Sequence, residues 1–222
     1  MSTTPLAIAA SLQLPPVLVY GHPDLRGVAQ AVPSDYPIDV LQDHASTLYL
    51  TCVQSTGAAI AAPQIGLPLR FFIVKNEYCS PALQGPLGYF VFINPYFEQA
   101  SGSRDVPNDG CLSIPEYMQQ APLPPSKRYT DFVFHFRTID YSGESPIIGA
   151  PQSLVYTSAV QDDFGWLLQH ETDHLDGILF IDQFGPPSSD NPNVDNTTLT
   201  TIKNAGYTSL MHPYATLPKP KA

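Results

Sequence analysis

Apolar residues at positions 41, 45, 48 and 52 (Leu41, Ala45, Leu48 and Cys52) recur every three to four residues. That period places all four on one stripe of a helix over residues 38–54, which Gly57 brings to an end. Farther along, Phe132, Phe134 and Phe136 alternate with Val133, His135 and Arg137, the pattern of a half-buried strand. Apolar runs at residues 69–75 and 89–94 have strand length and lie between Gly and Pro signals. Pro15-Pro16 opens a shorter β-like run at 17–20, closed by a turn at Gly21-His22-Pro23-Asp24. A second helix is predicted from about residue 162 to 175. Asp162 or Asp163 sits near its N-terminus, where a carboxylate suits the helix dipole, and Gly177 ends it.

Two stretches read as loops: residues 121–127, with three prolines, and 185–196, rich in Pro, Ser, Asp and Asn. The second divides a folded core, about 17–184, from a C-terminal tail, 185–222. No internal repeat is present. Strands followed by one late helix, without regular βαβ alternation, point to an α+β fold and a single domain over 1–222. A chain of 222 residues is long enough for one substantial core.

Composition narrows the function. The formal net charge is -10, from 20 acidic and 10 basic residues, so a phosphate backbone is repelled and nucleic acid is not an expected partner. Three scattered cysteines, Cys52, Cys79 and Cys111, do not make a disulfide framework and suit a reducing compartment. The first sixteen residues carry no Lys or Arg and so make a poor signal or transit peptide. No window approaches the ~20 apolar residues of a membrane span. The expectation is a cytoplasmic monomer with no membrane partner.

The chemistry lies in His170-Glu171-Thr172-Asp173-His174, an H-E-x-x-H sequence inside the second predicted helix. Histidines four apart project from one helix face and can share a metal ion. The intervening glutamate then stands beside the open position, where it can take a proton from water. Leu167 lies on the same stripe, so this face looks inward. Catalytic sites of this type have three protein ligands. No glutamate follows Glu171, and Phe180 stands where the longer H-E-x-x-H-x-x-G-x-x-H pattern needs its third histidine. The third ligand therefore comes from upstream, or from an ordinary Asp. Cys111 is the best upstream candidate, since a thiolate suits a borderline or soft divalent metal. Taken alone, it reads equally as a buried structural thiol.

Three segments together resemble the peptide deformylase family, whose motifs run G-x-G-x-A-A-x-Q, E-G-C-L-S and H-E-x-D-H. Here they stand in the same order as Gly57-Ala58-Ala59-Ile60-Ala61-Ala62-Pro63-Gln64, Asp109-Gly110-Cys111-Leu112-Ser113 and the segment from His170 to His174. Weaker echoes are Tyr20-Gly21-His22-Pro23-Asp24-Leu25-Arg26 and Ile93-Asn94-Pro95. The resemblance implies antiparallel β-sheets around a central helix that carries the H-E-x-x-H motif. It implies removal of the N-formyl group from the methionine of new polypeptides, with Fe2+ as the metal and Zn2+, Ni2+ or Co2+ as substitutes. It further implies Cys111, His170 and His174 as ligands, Glu171 as acid and base, and Gln64 with the Leu112 backbone N–H as oxyanion donors. Gly57, Ala58, Ala59 and Ile60 would pair with the substrate as an added strand, and Trp166 and Leu167 would line its side-chain pocket.

The sequence departs from the family in three places. Asp109 replaces a glutamate and is one methylene shorter, so its contacts near the metal are weakened or re-routed. Ala59 replaces a glycine, and its methyl threatens either crowding or a changed backbone angle. Trp166 stands where relatives place an aliphatic residue, and it either shrinks the methionine pocket or simply fills core. A basic residue that the family places beyond the cysteine is Lys127 or Arg128, unassigned between the two. The same framework admits a small N-formyl amine or amide as substrate. It also admits a relative that binds peptide without turnover, although such a protein has no need of Glu171. His22 is expected to cap its turn and His44 to face solvent. His135 is expected on the less apolar face of its strand and His212 in the tail.

Overall fold

The computed structural model describes residues 14–107, 109–114, 125–159 and 163–184. The predicted tail, the 185–196 loop and His212 lie outside these residues, as do Asp162 and most of the 121–127 loop.

Helix α1 (Ile38–Gln54) has the predicted bounds, with Leu41, Ala45, Leu48 and Cys52 fully buried. Three strands follow: β1 (Ala59–Ala61), β2 (Phe71–Lys75) and β3 (Tyr89–Ser101). A two-stranded ladder of β4 (Arg104–Val106) and β5 (Ser126–Arg128) precedes β6 (Asp131–Arg137). β7 (Ile139–Asp140) and β8 (Ile147–Ile148) form a second small ladder, and β9 (Gln152–Tyr156) precedes helix α2 (Asp163–Leu175). The main sheet is antiparallel, in the order β1-β2-β3-β6-β9. This is an α+β fold.

The apolar runs of β2 and β3 do not alternate because both faces of that part of the sheet are covered. Phe71 and Ile73 join Leu41, Ala45 and Leu48 of α1 in one core cluster. Phe72 and Val74 join Phe164, Leu167 and Leu168 of α2 in another. Phe132, Phe134 and Phe136 all turn into this second cluster, as their alternation predicts. Eleven of the thirteen residues of α2 are buried, because the β4–β5 ladder reaches it through Arg128 on a side the main sheet leaves open.

Three expectations change. β3 continues past Asn94 to Ser101, because a bulge at Asn94 (φ 51°) absorbs Pro95, which has no ladder hydrogen to give, and a second bulge follows at Gln99 (φ 55°). The Asn94 side chain meanwhile bonds both backbone groups of Val32, at 2.8 Å each. The run at 17–20 joins no ladder. It makes two backbone bonds instead, Leu18 N–H to the Gln64 carbonyl and Tyr20 N–H to the Ser113 carbonyl, both 2.7 Å. It thereby ties the Gln64 segment to the Cys111 segment. Ser126 and Lys127, read as the end of a loop, are paired in β5.

Candidate metal centre and active site

Helix geometry sets the first half of the site. His170 and His174 are one turn apart on buried α2, with ring centroids 5.0 Å apart. The tertiary fold supplies the rest. A tight turn closed by Ile114 N–H on the Cys111 carbonyl (2.9 Å) presents the thiol, and Cys111 Sγ lies 3.3 Å from His174 Nε2. One ligand atom from each of Cys111, His170 and His174 falls within 4.8 Å of the others. A tetrahedral centre with ordinary metal–sulfur and metal–nitrogen bonds needs about 3.5 Å between sulfur and nitrogen. The three residues could hold such an ion.

The surroundings fit that use. Buried polar atoms ordinarily find partners, yet Glu171 Oε2 has none among the described residues. Burial above all holds the His174 imidazole well below its usual range, whereas the Asp109 carboxylate outweighs burial and holds the His170 imidazole well above its own, so an ion bound here would displace the His170 proton. Burial also pushes the Glu171 carboxyl up to about 7. A carboxyl poised there suits proton transfer in either direction near neutrality.

Gln64 sits in a 3-10 turn (Ala62–Ile65) directly after β1. Its Oε1 accepts the Ala61 N–H at 2.8 Å, which fixes which way the amide faces. Its Nε2 donates to Ser113 Oγ at 3.1 Å and lies 3.9 Å from Cys111 Sγ. The Leu112 side chain rests on Gly57 so closely that a Cβ there would stand 2.7 Å from Leu112 Cδ1. A cavity of about 670 Å³ opens over these groups. Gly57, Ala58, Ala59, Gln64, Cys111, Leu112, Trp166, Leu167, His170 and Glu171 all line it. Of the residues predicted from sequence, Ile60 and His174 are not in its wall; Ile60 instead packs with the α1 cluster. Val17, Val19, Ser55 and Thr56 extend the wall and carried no sequence signal.

The departures from the family pattern resolve geometrically. Asp109, though short, reaches three partners: His170 Nδ1 (2.8 Å), Arg128 Nη2 (2.8 Å) and Ser126 Oγ (2.5 Å). Arg128, not Lys127, is the basic residue at the site; Lys127 points away to Asp105. Ala59 needs no left-handed backbone, and its methyl packs with Phe72, Val74 and Leu167. Trp166 fills core and lines the cavity at once, its ring edge-on to His170 at 6.5 Å. His22 Nδ1 caps its turn by accepting the Asp24 N–H, and His44 is half-buried rather than exposed. His135 lies on the outer face of β6, bonded to Ser153 and stacked on Tyr96.

Comparison with known proteins agrees with this geometry. The family model for polypeptide deformylase matches residues 14–140 and 152–190. The peptide deformylase of Flavobacterium johnsoniae is 32% identical over 176 residues, 76% of this chain and 80% of that protein. Among solved structures, a peptide deformylase from Synechococcus elongatus in complex with actinonin is 26% identical with a TM-score of 0.58. That match covers 88% of this chain and 89% of the other. A class I type b enzyme from Acinetobacter baumannii with Met-Ala-Ser bound shares the fold at 24% identity and a TM-score of 0.57, over 75% of this chain and 95% of that one.

Proposed function

The chain belongs to the peptide deformylase family of hydrolases, and from that premise we propose that it removes the N-formyl group from the N-terminal methionine of new polypeptides. Cys111, His170 and His174 hold one divalent ion. When bound, that ion, Fe2+ in the first place with Zn2+, Ni2+ or Co2+ as substitutes, supplies a Lewis acid and makes water a nucleophile near neutral pH. Glu171 takes the proton from the attacking water and passes it to the departing amine. The Gln64 amide, held by Ala61, and the Leu112 N–H face the formyl oxygen as negative charge grows on it. No protein nucleophile is required.

The backbone of β1 supports a peptide substrate. Lys75 N–H donates to the Ala58 carbonyl, so Ala58 faces β2, while the Ala61 N–H turns the other way to Gln64. By alternation the Ala59 N–H and C=O face the free edge, where an extended chain adds as a strand. The cavity runs on to Ser55 and Thr56, a length that favours a peptide over a small formyl amide. The A. baumannii protein with its bound Met-Ala-Ser agrees with this choice. Three free cysteines and no helix among the described residues long and apolar enough to cross a membrane accord with action in the cytoplasm.

The observation that carries this reading is the meeting of one thiol and two imidazoles beside an unsatisfied, buried carboxylate. Its test is formate release from formyl-Met-Ala-Ser under anaerobic conditions with Fe2+, alongside elemental analysis of the purified protein. Formate at one ion per chain is expected; turnover that survives chelation overturns the reading.

A further inference from the structure

We propose that the gap between β3 and β7 is a second binding site, and that its occupant is an extended basic peptide that adds as a strand between them. The inference does not depend on the metal centre.

The ladder of β3 with β6 ends at the pair Ile93 and Arg137, although both strands run on. Continued in register, it would next join Val91 to Ile139. β7 turns instead to β8, pairing Ile139 with Ile148 and Asp140 with Ile147. Gly149 braces this departure. Its N–H donates to the Thr138 carbonyl at 2.8 Å, and its own carbonyl accepts Arg137 Nε at 2.8 Å. A cavity of about 700 Å³ occupies the space where the strands part, and both Val91 and Ile139 line it.

The backbone shows what the gap can take. Asn94 N–H donates to the Arg70 carbonyl, so by alternation Phe90 and Phe92 bond β2 while Val91 faces away from it. The bond from Gly149 to Thr138 likewise points Thr138 and Asp140 at β8 and turns Ile139 the other way. Val91 and Ile139 thus each present an N–H and a C=O to the cavity, and among the described residues no ladder pairs them on that side. Two strand edges that face one gap are a template for a strand.

Side chains set the chemistry. Phe90 packs with the α2 core, and Tyr89 and Tyr141 with the α1 core, so the gap has an aromatic wall on each face of the sheet. Asp140 is the one charged residue in its lining. It alternates with Ile139 and Tyr141, which places it on the Phe90 side. Its Oδ1 accepts the Ser142 N–H at 2.9 Å, which leaves Oδ2 for a cation. A Lys or Arg stem lies along Phe90 with its charge at Asp140, and the residues on either side of it meet Tyr89 and Tyr141. The pattern recognised is apolar-basic-apolar. Charge agrees: the chain carries -10, and residues 141–151 hold Glu144 and no Lys, Arg or His. That stretch falls outside the matched family segments, 14–140 and 152–190, so the gap is not part of the family pattern.

The probe is acetyl-Ser-Val-Lys-Val-Ser-amide, with acetyl-Ser-Val-Glu-Val-Ser-amide as the charge control; neither carries a formyl group. Binding to the full chain, labelled with 15N, is followed by amide shifts and hydrogen exchange. Saturable binding of the Lys peptide with a Kd below about 1 mM is expected. The Val91 and Ile139 amides should shift and exchange more slowly, and the Glu peptide should bind more weakly. Asp140→Asn keeps the acceptor for Ser142 and should weaken the Lys peptide about two- to fivefold without weakening the Glu peptide. No binding, equal affinity for the two peptides, or shifts at the Ala59 edge in place of Val91 and Ile139 overturns the proposal. Shifts of the same two amides that grow with protein concentration and need no probe give the gap to a second copy, and overturn it too.

Discussion

Replacing Glu171 with glutamine keeps the volume of the side chain and removes its charge, and two separate consequences follow. Burial pushes this carboxyl from 4.5 up to about 7 in the metal-free protein. A rise of that size corresponds to about 3 kcal/mol against the ionised form. The unfolded chain releases this proton near pH 4.5 and the folded chain only near 7. Its contribution is therefore fully present below pH 4.5 and is lost as pH rises to about 7. Glu171→Gln has no such loss. Urea unfolding of chelated protein at pH 5 and pH 8 should show the variant gaining on wild type as pH rises, by up to about 3 kcal/mol. With metal restored, loss of a general base should lower kcat by about 10²–10⁴ while metal content stays at one ion per chain. Parallel pH-stability curves would refute the burial argument, and a kcat within a few-fold of wild type would refute the assigned base.

Other substitutions probe the rest of the cavity. Gln64→Ala removes an oxyanion donor and should lower kcat by about 10²–10³ with metal content unchanged; kinetics close to wild type would assign the donor elsewhere. Gly57→Ala places a methyl 2.7 Å from Leu112 Cδ1. Overpacking of about 1–3 kcal/mol should lower both Tm and kcat as Leu112 is displaced, and no change in either would mean that the side chain swings clear at no cost. Trp166→Leu should raise the preference for formyl-Met over formyl-Ala and formyl-Gly peptides, measured as ratios of kcat/KM. Equal ratios in variant and wild type would make Trp166 core filling alone.

Local physics decided a good part of this protein before any fold was known. A 3.6-residue stripe gave α1 its bounds, and alternation gave β6 its buried face, because helix and strand periods are properties of the backbone itself. Two histidines four apart must be neighbours on any helix. Periodicity names a face but not what covers it, so the partners of these elements stayed hidden. Cys111 is 63 residues from His174, and Arg128 is 45 from Asp173. Their meeting depends on the strand order of the sheet and on a two-stranded ladder whose sequence looked like the end of a proline loop. β9, with three of its five residues exposed, lacked the alternation that would have announced it. Val17 and Val19 reached the cavity through backbone bonds that any sequence can make. The fate of the shorter Asp109 was likewise settled in three dimensions, since a carboxylate finds its donors by distance and burial, and neither is written along the chain.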